Sequence, residues 1–458
     1  MLPDDALIAI FDFCVDKDEL FQEDIEAWQT LVHVCRRWRT LVFGSPRRLN
    51  LRLVCAAKTP ARDALDVWPA LPLIIQCDPI EIGYMDNIVA ALERNNRVCQ
   101  IRLDRISSSD LEKCSAAMEV PFPELTQLGL KSEEKTVPVL PDSFLGRSAP
   151  HLRILVLRGI PFPGLPRLLL SATHLVTLRL YRIPHSGYFS PEMIVTALSM
   201  LTALEELWLG FESPRSCPTG KPDAHPPTRI VLPVMTSFWF KGVTEYLEDL
   251  VACIDAPRLG RFEITFFNDI VFDTPQLIQF IGRTPTLLNA LKNANVTFAD
   301  GGSKIRLSSE RIRQRIGVGI SCRGLDWQIS SVEQLRTSCL PPIFFTLETL
   351  YIVVQSGRPE RKVNVENTQW LELLHPFTAV KKLYLTQEAA RRIAPALQEL
   401  DGDRTTEVLP ALENIFLDRP KFVEVGIEQF LATRQVTGHS ITVSPWIGRS
   451  NPVHQRRR

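Results

Sequence analysis

Two glycine-containing stretches come closest to motifs that bind phosphate groups. Gly317 and Gly319 begin a G-x-G sequence, but Cys322 stands where the dinucleotide-binding motif needs its third glycine. Gly220–Lys221 resembles the end of a nucleotide-binding phosphate loop, but Arg215 stands where that loop needs its first glycine. Neither stretch therefore predicts a nucleotide site.

Nucleophiles and metal ligands also lack the spacing that catalysis requires. The sequence contains neither H-E-x-x-H nor G-x-S-x-G, and none of its 8 histidines stands at a metal-ligand spacing from a cysteine or carboxylate. The 10 cysteines include no C-x-x-C pair, which indicates buried free thiols in a reducing compartment. We expect a protein that is not an enzyme and that uses no metal and no cofactor.

A repeated apolar pattern predicts a binding surface in place of a catalytic centre. Leucines spaced as L-x-x-L-x-L occur in Pro123–Leu130, His151–Leu157, His174–Leu180 and Ala203–Leu209. The same spacing with other apolar residues recurs at Val98/Ile101/Leu103, Met235/Phe238/Phe240, Leu259/Phe262/Ile264, Leu347/Leu350/Ile352, Val380/Leu383/Leu385 and Leu412/Ile415/Leu417. Most of the final positions are about 23 to 33 residues apart, which is the interval of a strand-and-helix repeat.

One interval in this series is much longer than the others. Ile264 and Ile352 are the final positions of two successive matches, and they are 88 residues apart, or about three intervals. The apolar runs Val296–Phe298 and Val318–Ile320 would supply two further strands in this gap. The repeat therefore predicts an array that continues through the gap.

The strand pattern and the helical patterns between strands predict an α/β fold class. Helical patterns occupy residues 191–200, 244–254, 275–283 and 388–400. The expected architecture is a short N-terminal helical module followed by an irregular leucine-rich-repeat solenoid with a curved parallel sheet. The asparagine or cysteine that usually follows the last leucine by three residues is missing, which predicts irregular curvature. An ordinary α/β domain is the alternative.

The residue between the last two leucines of each repeat should point outward, because side chains alternate along a strand. Along the array this column reads Arg102, Gly129, Val156, Arg179, Trp208, Trp239, Glu263, Tyr351, Tyr384 and Phe416. Amphipathic rings on the concave face are suited to anchoring a protein. The candidate target-binding residues are Arg102, Arg179, Trp208, Trp239, Tyr351, Tyr384 and Phe416. The alternative is that the rings only stack across strands.

Charge and hydropathy exclude several classes of partner. The 458 residues include 52 basic and 52 acidic side chains, so the chain has no general attraction to nucleic acid or to an anionic membrane. No stretch approaches the roughly 18 apolar residues of a membrane span. Asp4 and Asp5 give the N-terminus an acidic start, unlike a secretory signal. We expect a protein of the cytoplasm, the nucleus or both.

Two short apolar helices are predicted at the N-terminus. In the first, Leu7, Ile10, Phe11 and Cys14 fall on one face after an Asp4 or Asp5 cap. In the second, the apolar stripe consists of Trp28, Leu31, Cys35, Trp38 and Leu41. Helices of this size bury too little to be stable alone, so they either cap a larger core or dock onto a partner.

The same helices resemble the F-box motif. The resemblance rests on Leu2-Pro3, Leu7, Ile10-Phe11, Val34-Cys35-Arg36-Arg37-Trp38-Arg39 and Ser45-Pro46. Residues 325–335, 341–352 and 373–385 are similar to the C-terminal halves of F-box proteins that are numerous in mushroom-forming (basidiomycete) fungi. The resemblance implies that an adaptor subunit of cullin–RING ubiquitin ligases packs on Leu2, Pro3, Leu7, Ile10, Phe11, Val34, Cys35 and Trp38.

Four regions follow from these patterns. We expect an F-box module at 1–55, a connecting or first-repeat segment at 56–95, a solenoid at 96–445 with a flexible loop at 213–228, and a tail at 446–458. The expected function is that of a substrate receptor, which binds the ligase adaptor (and through it a cullin) and an unknown target protein. The alternative is a protein-binding repeat scaffold that is not engaged with a ubiquitin ligase.

Overall fold

The structure is a computed structural model of the whole chain. It describes residues 2–14, 27–46, 49, 51–56, 65, 70–77, 85–214, 229–267, 274–288, 291–309, 315–321, 325–339, 344–355, 366–400, 404, 406–418 and 424–446. The loop predicted at 213–228 lies almost wholly outside the described residues, as do Gly220–Lys221, Arg215, Cys322 and the tail beyond residue 446. Within the described part of the chain, no helix is long and apolar enough to cross a membrane.

The residues form two compact units, and the first consists of residues 1–189 with 196–204. Its helices are α1 (Asp4–Cys14), α2 (Ala27–Val34), α3 (Arg36–Gly44), α4 (Met85–Leu92), α5 (Ser108–Ala117) and α6 (Leu165–Leu169). Its strands are β1 (Leu53–Ala56), β2 (Leu73–Cys77), β3 (Val98–Leu103), β4 (Gln127–Lys131), β5 (Ile154–Arg158) and β6 (Thr177–Ile183). Helix α7 (Pro191–Leu198) is divided between the two sets of residues.

The second unit consists of residues 190–195 with 205–458. Its strands are β7 (Glu206–Phe211), β8 (Ile230–Val231), β9 (Ser237–Gly242), β10 (Ile254–Asp255), β11 (Arg261–Phe266), β12 (Asn293–Ala299), β13 (Gly302–Ser308), β14 (Arg315–Ile320), β15 (Thr349–Val354), β16 (Lys382–Leu385), β17 (Asn414–Leu417) and β18 (Thr442–Pro445). Its helices are α8 (Thr244–Ala252), α9 (Pro275–Arg283), α10 (Pro285–Leu288), α11 (Leu325–Cys339), α12 (Asn367–Leu374), α13 (Gln387–Gln398) and α14 (Val425–Val436).

In the first unit, β1 to β6 lie side by side in chain order, and each strand pairs in parallel with the next. The register places Leu128 beside Leu155 and Leu130 beside Leu157, and all four side chains are at most 3% exposed. The leucines of the repeated pattern therefore form the core. The predicted α/β repeat of the leucine-rich type, with a mostly parallel sheet, is confirmed.

In the second unit, the sheet runs in the order β7-β9-β11-β14-β13-β12-β15-β16-β17-β18. Both runs proposed for the long gap are strands, since Val296–Phe298 lies in β12 and Val318–Ile320 in β14. The simple continuation was wrong, because a third strand, β13, pairs antiparallel with both. A short turn can join antiparallel strands, whereas parallel strands need a crossover, so the β12–β13 hairpin inserts β13 and reverses the order of β12 and β14.

The second N-terminal helix differs from its prediction. Instead of one helix from Trp28 to Leu41, the chain forms α2 and α3, which are separated by Cys35 in an extended conformation (φ −160°, ψ 169°). An extended residue interrupts the i to i−4 hydrogen bonds and changes the direction of the chain. Trp28 is consequently buried at 1% exposure, with its Nε1 donating to the Arg52 carbonyl at 3.0 Å, while Trp38 packs elsewhere on Phe11.

The turns after the strands lack the usual asparagine, and in one of them a buried serine side chain forms a hydrogen bond to the preceding repeat. Ser132 is 1% exposed, and its hydroxyl donates to the Ile106 carbonyl of the preceding repeat at 2.9 Å. Backbone bonds join the same connections, because Ile106 N–H donates to Lys131 and Ser132 N–H donates to Arg158. These contacts satisfy polar groups that would otherwise be buried without partners.

The hairpin depends on Gly302. Its φ is +150°, and a Cβ built there would lie 2.0 Å from the Ile320 carbonyl oxygen, whereas a Cβ at the adjacent Gly301 would meet no atom within 4 Å. We expect Gly302→Ala to lower the free energy of unfolding by more than about 2 kcal/mol, because β13 must move away from β14. Gly301→Ala should change it by about 1 kcal/mol or less. Urea denaturation of both variants measures this, and equal effects would contradict the hairpin geometry.

Candidate functional site

Part of the predicted adaptor-binding set is buried in the folded chain. Leu7 is 5% exposed and Phe11 is fully buried, so both support the helices from inside. The Trp38 ring lies 4.8 Å from the Phe11 ring at 59° and keeps partial exposure. The contact between Phe11 and Trp38 therefore joins α1 to α3.

The remaining members of that set lie in solvent. Leu2 is 53% exposed, Ile10 46% and Val34 56%, and Pro3 and Cys35 are exposed as well. Phe13 adds the most exposed large ring of the described chain, at 90%, and it was missing from the predicted set. We call Leu2, Pro3, Ile10, Phe13, Val34 and Cys35 the N-terminal apolar set. Exposed apolar groups gathered on one small module are typical of a surface that a partner covers.

Arginines beside this set hold the helices together. Arg37 donates from Nη2 to the Asp4 carboxylate and to the Leu2 carbonyl, each at 2.6 Å, and Arg39 Nε donates to the Val32 carbonyl at 3.0 Å. An exposed pair such as Arg37–Asp4 contributes about 1 kcal/mol or less, so its main effect is to fix the start of α1.

In the first unit, the outward column follows the predicted register. Arg102 stands beside Gly129, Gly129 beside Val156, and Val156 beside Arg179. Arg102 pairs with Asp104 at 3.2 Å. The predicted residues Arg102 and Arg179 are thus separated by two strands that carry no polar or aromatic group in the column.

In the second unit, β8 and β10 pair separately, and the register joins one residue from each of the other ten strands into a continuous outward row. Its members in sheet order are Trp208, Trp239, Glu263, Gly317, Arg306, Asn295, Tyr351, Tyr384, Phe416 and Ser444. We call this the outer row. All five predicted target-binding aromatics belong to it, and each is half-buried.

The aromatics of the outer row form two stacked groups. Trp208 and Trp239 lie 5.5 Å apart at 26°, and Tyr384 lies 4.4 Å from both Tyr351 and Phe416 at 18° and 9°. Trp446, beyond β18, lies 5.5 Å from Tyr384. Burial raises the pKa of Tyr351 and of Tyr384, so both hydroxyls stay protonated and can donate hydrogen bonds. The rings cover one another and keep part of their surface open.

A buried carboxylate separates the two aromatic groups. Glu263 is 5% exposed, and Lys304 Nζ lies 2.5 Å from its Oε2 while Arg315 Nη1 lies 3.4 Å from its Oε1. Burial alone would raise the pKa of Glu263, but attraction and hydrogen bonding to Lys304, with Arg306 and Arg315 nearby, lower it below its ordinary value. Glu263 therefore remains ionised and holds cations at the centre of the outer row.

These cations were missed by the sequence reasoning. Lys304 and Arg306 lie on β13, which was not predicted, although Gly302–Ser308 shows the alternation of a strand (apolar Ile305 and Leu307 between polar residues). Lys304 is 41 residues from Glu263 in the sequence, and Arg315, which lies on β14, is 52 residues from it. Alternation locates the strand, but only its pairing brings these side chains to Glu263.

Two of the described thiols are kept protonated by burial. Burial raises the pKa of Cys55 to about 11 and that of Cys114 to about 12, so neither is a thiolate nucleophile at neutral pH. Six described cysteines, at positions 35, 55, 77, 99, 114 and 253, are free. Within the described ranges, no three His, Cys, Asp or Glu side chains are grouped to hold a metal ion.

Comparison with known proteins identifies no sequence family for this chain. No family model matches the chain, and no curated protein sequence matches it. Among solved structures, the leucine-rich repeat-containing protein LegL7 from Legionella pneumophila is similar over 86% of this chain and 99% of its own length, with 10% sequence identity and a TM-score of 0.27. The assignment to the leucine-rich repeat class therefore rests on the strand ladders and their register.

The lowered pKa of Glu263 predicts a pH-dependent stability. We expect Glu263→Gln to lower the free energy of unfolding by about 2 kcal/mol at neutral pH, because a charge-assisted hydrogen bond is lost. A depressed carboxyl pKa stabilises the folded state above the unfolded pKa, and this contribution is lost as pH falls through the folded value. The difference between variant and wild type should therefore shrink on acidification below the ordinary glutamate range.

Urea denaturation at a series of pH values measures this difference. Glu245→Gln is the matched control, because Glu245 is exposed on α8 and should show a small effect at every pH. A Glu263→Gln deficit that stays constant down to strongly acidic pH would show that the ionised carboxylate is not what stabilises this part of the sheet.

Proposed function

We propose that the protein is a repeat scaffold that binds other proteins through two surfaces. The N-terminal apolar set docks on the adaptor subunit of a cullin–RING ubiquitin ligase, and the outer row holds a target protein. The chain then acts as a substrate receptor in the cytoplasm or nucleus. It makes and breaks no bond itself; it raises the effective concentration of target lysines near a separate ubiquitin-charged enzyme.

The observation that carries the adaptor proposal is the exposure of the N-terminal apolar set. Leu2, Pro3, Val34 and Cys35 belong to the F-box resemblance, and the folded chain leaves all four in solvent. Burying apolar surface stabilises by about 25 cal/mol per Å², so side chains such as Ile10 and Phe13 favour any partner that covers them. The buried Leu7 and Phe11 stabilise the folded module when no partner covers its exposed surface.

The outer row supports the second half of the proposal. Aromatic residues that are half-buried in stacks are already ordered, so they lose little conformational entropy when a partner packs on them. Stacking between strands and binding of a partner are compatible here, since each ring of the Tyr351–Tyr384–Phe416 stack keeps partial exposure.

A charge placed in the N-terminal apolar set should abolish adaptor binding. We expect full-length Val34→Asp to capture at least about tenfold less adaptor in a pull-down, because docking would desolvate the new carboxylate. Val34 is 56% exposed, so the substitution leaves the core intact, whereas Trp38→Ala would also loosen the Phe11 contact.

Val436→Asp is the matched control, because Val436 is 87% exposed at the end of α14 and lies outside the N-terminal module. It should capture adaptor as the wild type does. If Val34→Asp is captured equally well, the adaptor proposal fails. A wild type that captures no adaptor but still binds another protein would favour a scaffold that works apart from the ligase.

Target binding should depend on the centre of the larger aromatic stack. We expect Tyr384→Ala to weaken target binding by about 30-fold, the loss typical of a central aromatic anchor, because Tyr384 contacts Tyr351, Phe416 and Trp446. Proximity labelling with a proteasome inhibitor identifies targets, and the purified variant measures the change. Trp327→Ala is the control, since Trp327 is 70% exposed on α11 and lies outside the outer row. Equal loss in both variants would contradict the proposal.

A further inference from the structure

The strand β14 carries two glycines on the face of the outer row, at Gly317 and Gly319. A Cβ at Gly317 would lie 3.0 Å from Lys304 Cε and 3.4 Å from Glu263 Cγ. Lys304 is on β13 and Glu263 is on β11, so their ion pair spans β14. The G-x-G sequence fits no nucleotide motif. Its glycines lack side chains, which leaves space above β14 for the Lys304 side chain to reach Glu263.

This arrangement gives the middle of the outer row an excess of positive charge. Lys304, Arg306 and Arg315 surround one carboxylate, which leaves the four groups with a formal charge of +2. Glu263 restrains Lys304 and Arg315 by direct contact, so the cluster is held in place before any ligand arrives. Charged donors that are already ordered bind an anion at a lower entropic cost than free side chains do.

An open cavity of about 300 Å³ adjoins this cluster. Lys304 and Arg306 line it together with hydrogen-bonding groups of Thr265, Asn295, Thr297 and Gln355, and the described lining residues include no carboxylate. The volume is at the lower end of small-ligand pockets, which range from about 300 to 1,000 Å³. Two cations with several neutral hydrogen-bonding groups and no acid form a lining that suits an anionic side chain.

From these observations we infer that the cavity beside Lys304 and Arg306 receives an anionic residue, a phosphoryl or carboxylate group, from an extended segment of the target protein. The inference rests on the proposed role of the outer row in target binding. A protein segment is favoured because Arg306 and Asn295 belong to the same row as the aromatic groups on both sides. A bound segment can therefore place its anion in the cavity and apolar residues on the rings.

The sheet also sets the spacing of that segment. Tyr351 is two strands from Arg306 and Trp239 is three, which at about 4.8 Å per strand gives distances of roughly 10 and 14 Å. An extended peptide advances about 3.3 Å per residue. The target segment should therefore carry an apolar or aromatic residue about three positions from the anion on one side and about four positions from it on the other.

The test uses full-length protein and three pools of degenerate peptides with phosphoserine, glutamate or serine fixed at the centre. We expect wild type to retain the phosphoserine pool, the glutamate pool or both at least about tenfold more than the serine pool, and inorganic phosphate to compete. The pool that is retained more strongly distinguishes the phosphoryl source from the carboxylate source. Sequencing of the retained peptides should show enrichment at the predicted spacing.

Variants show whether the cavity is responsible. Arg306→Ala should remove the preference for the anionic pools, Arg306→Lys should retain most of it, and Arg391→Ala should leave it unchanged, because Arg391 is exposed on α13 outside the row. Arg306→Gln serves in its place if Arg306→Ala unfolds. Equal retention of all pools by wild type, or a preference that survives Arg306→Ala and Arg306→Gln, overturns the inference. If peptide retention depends on Tyr384 but not on the residue fixed at the centre of the peptide, the cavity inference fails and the proposed target-binding role of the outer row is kept.

Discussion

Each strand of this protein depends on its neighbours to cover its apolar side chains. Leu128 and Leu130 of β4 are at most 1% exposed in a sheet where β3 and β5 lie on either side in parallel register. Full burial of one leucine stabilises by about 2 kcal/mol, so the inward positions are tightly constrained. The outward positions are free of that constraint. The same strand pattern can therefore have glycine at its outward position in one repeat and tryptophan in another.

The same constraint explains how much could be predicted from the sequence. Because the core fixes Leu155 and Leu157, their spacing located β5, and period-two alternation then predicted that Val156 faces outward. Alternation also marks β13, but it says nothing about which strand lies beside it. The pairing of the hairpin with its neighbours brings Lys304 to Glu263, which is 41 residues away in the sequence. No local sequence pattern predicts such a pairing. The extended Cys35 was equally hidden, since the apolar stripe continues through it.

The antiparallel insertion changes the chemistry of the sheet face. In the parallel parts of the second unit, equivalent outward positions stack like on like, as with Tyr351, Tyr384 and Phe416. At β13 the chain reverses, so Arg306 and Asn295 meet across an antiparallel pair and interrupt the aromatic series. In the proposed binding of a target, a polar interruption would fix the register of the target more strictly than rings alone, because charged groups must be matched while apolar contacts tolerate sliding.

Glu263 shows why the interruption holds its cations so firmly. Taking a carboxylate out of water costs several kcal/mol, and that cost is offset only when cations and hydrogen bonds are already positioned around it. The glycines of β14 leave room for this, because a Cβ at position 317 would lie only 3.0 Å from Lys304 Cε, so that side chain would have to shift. The buried Glu263 carboxylate thus holds Lys304 and Arg315 in place, while the aromatic rings on either side hold one another by stacking. Both halves of the outer row are organised by their own contacts, and such preorganisation would lower the entropic cost of binding the proposed target segment.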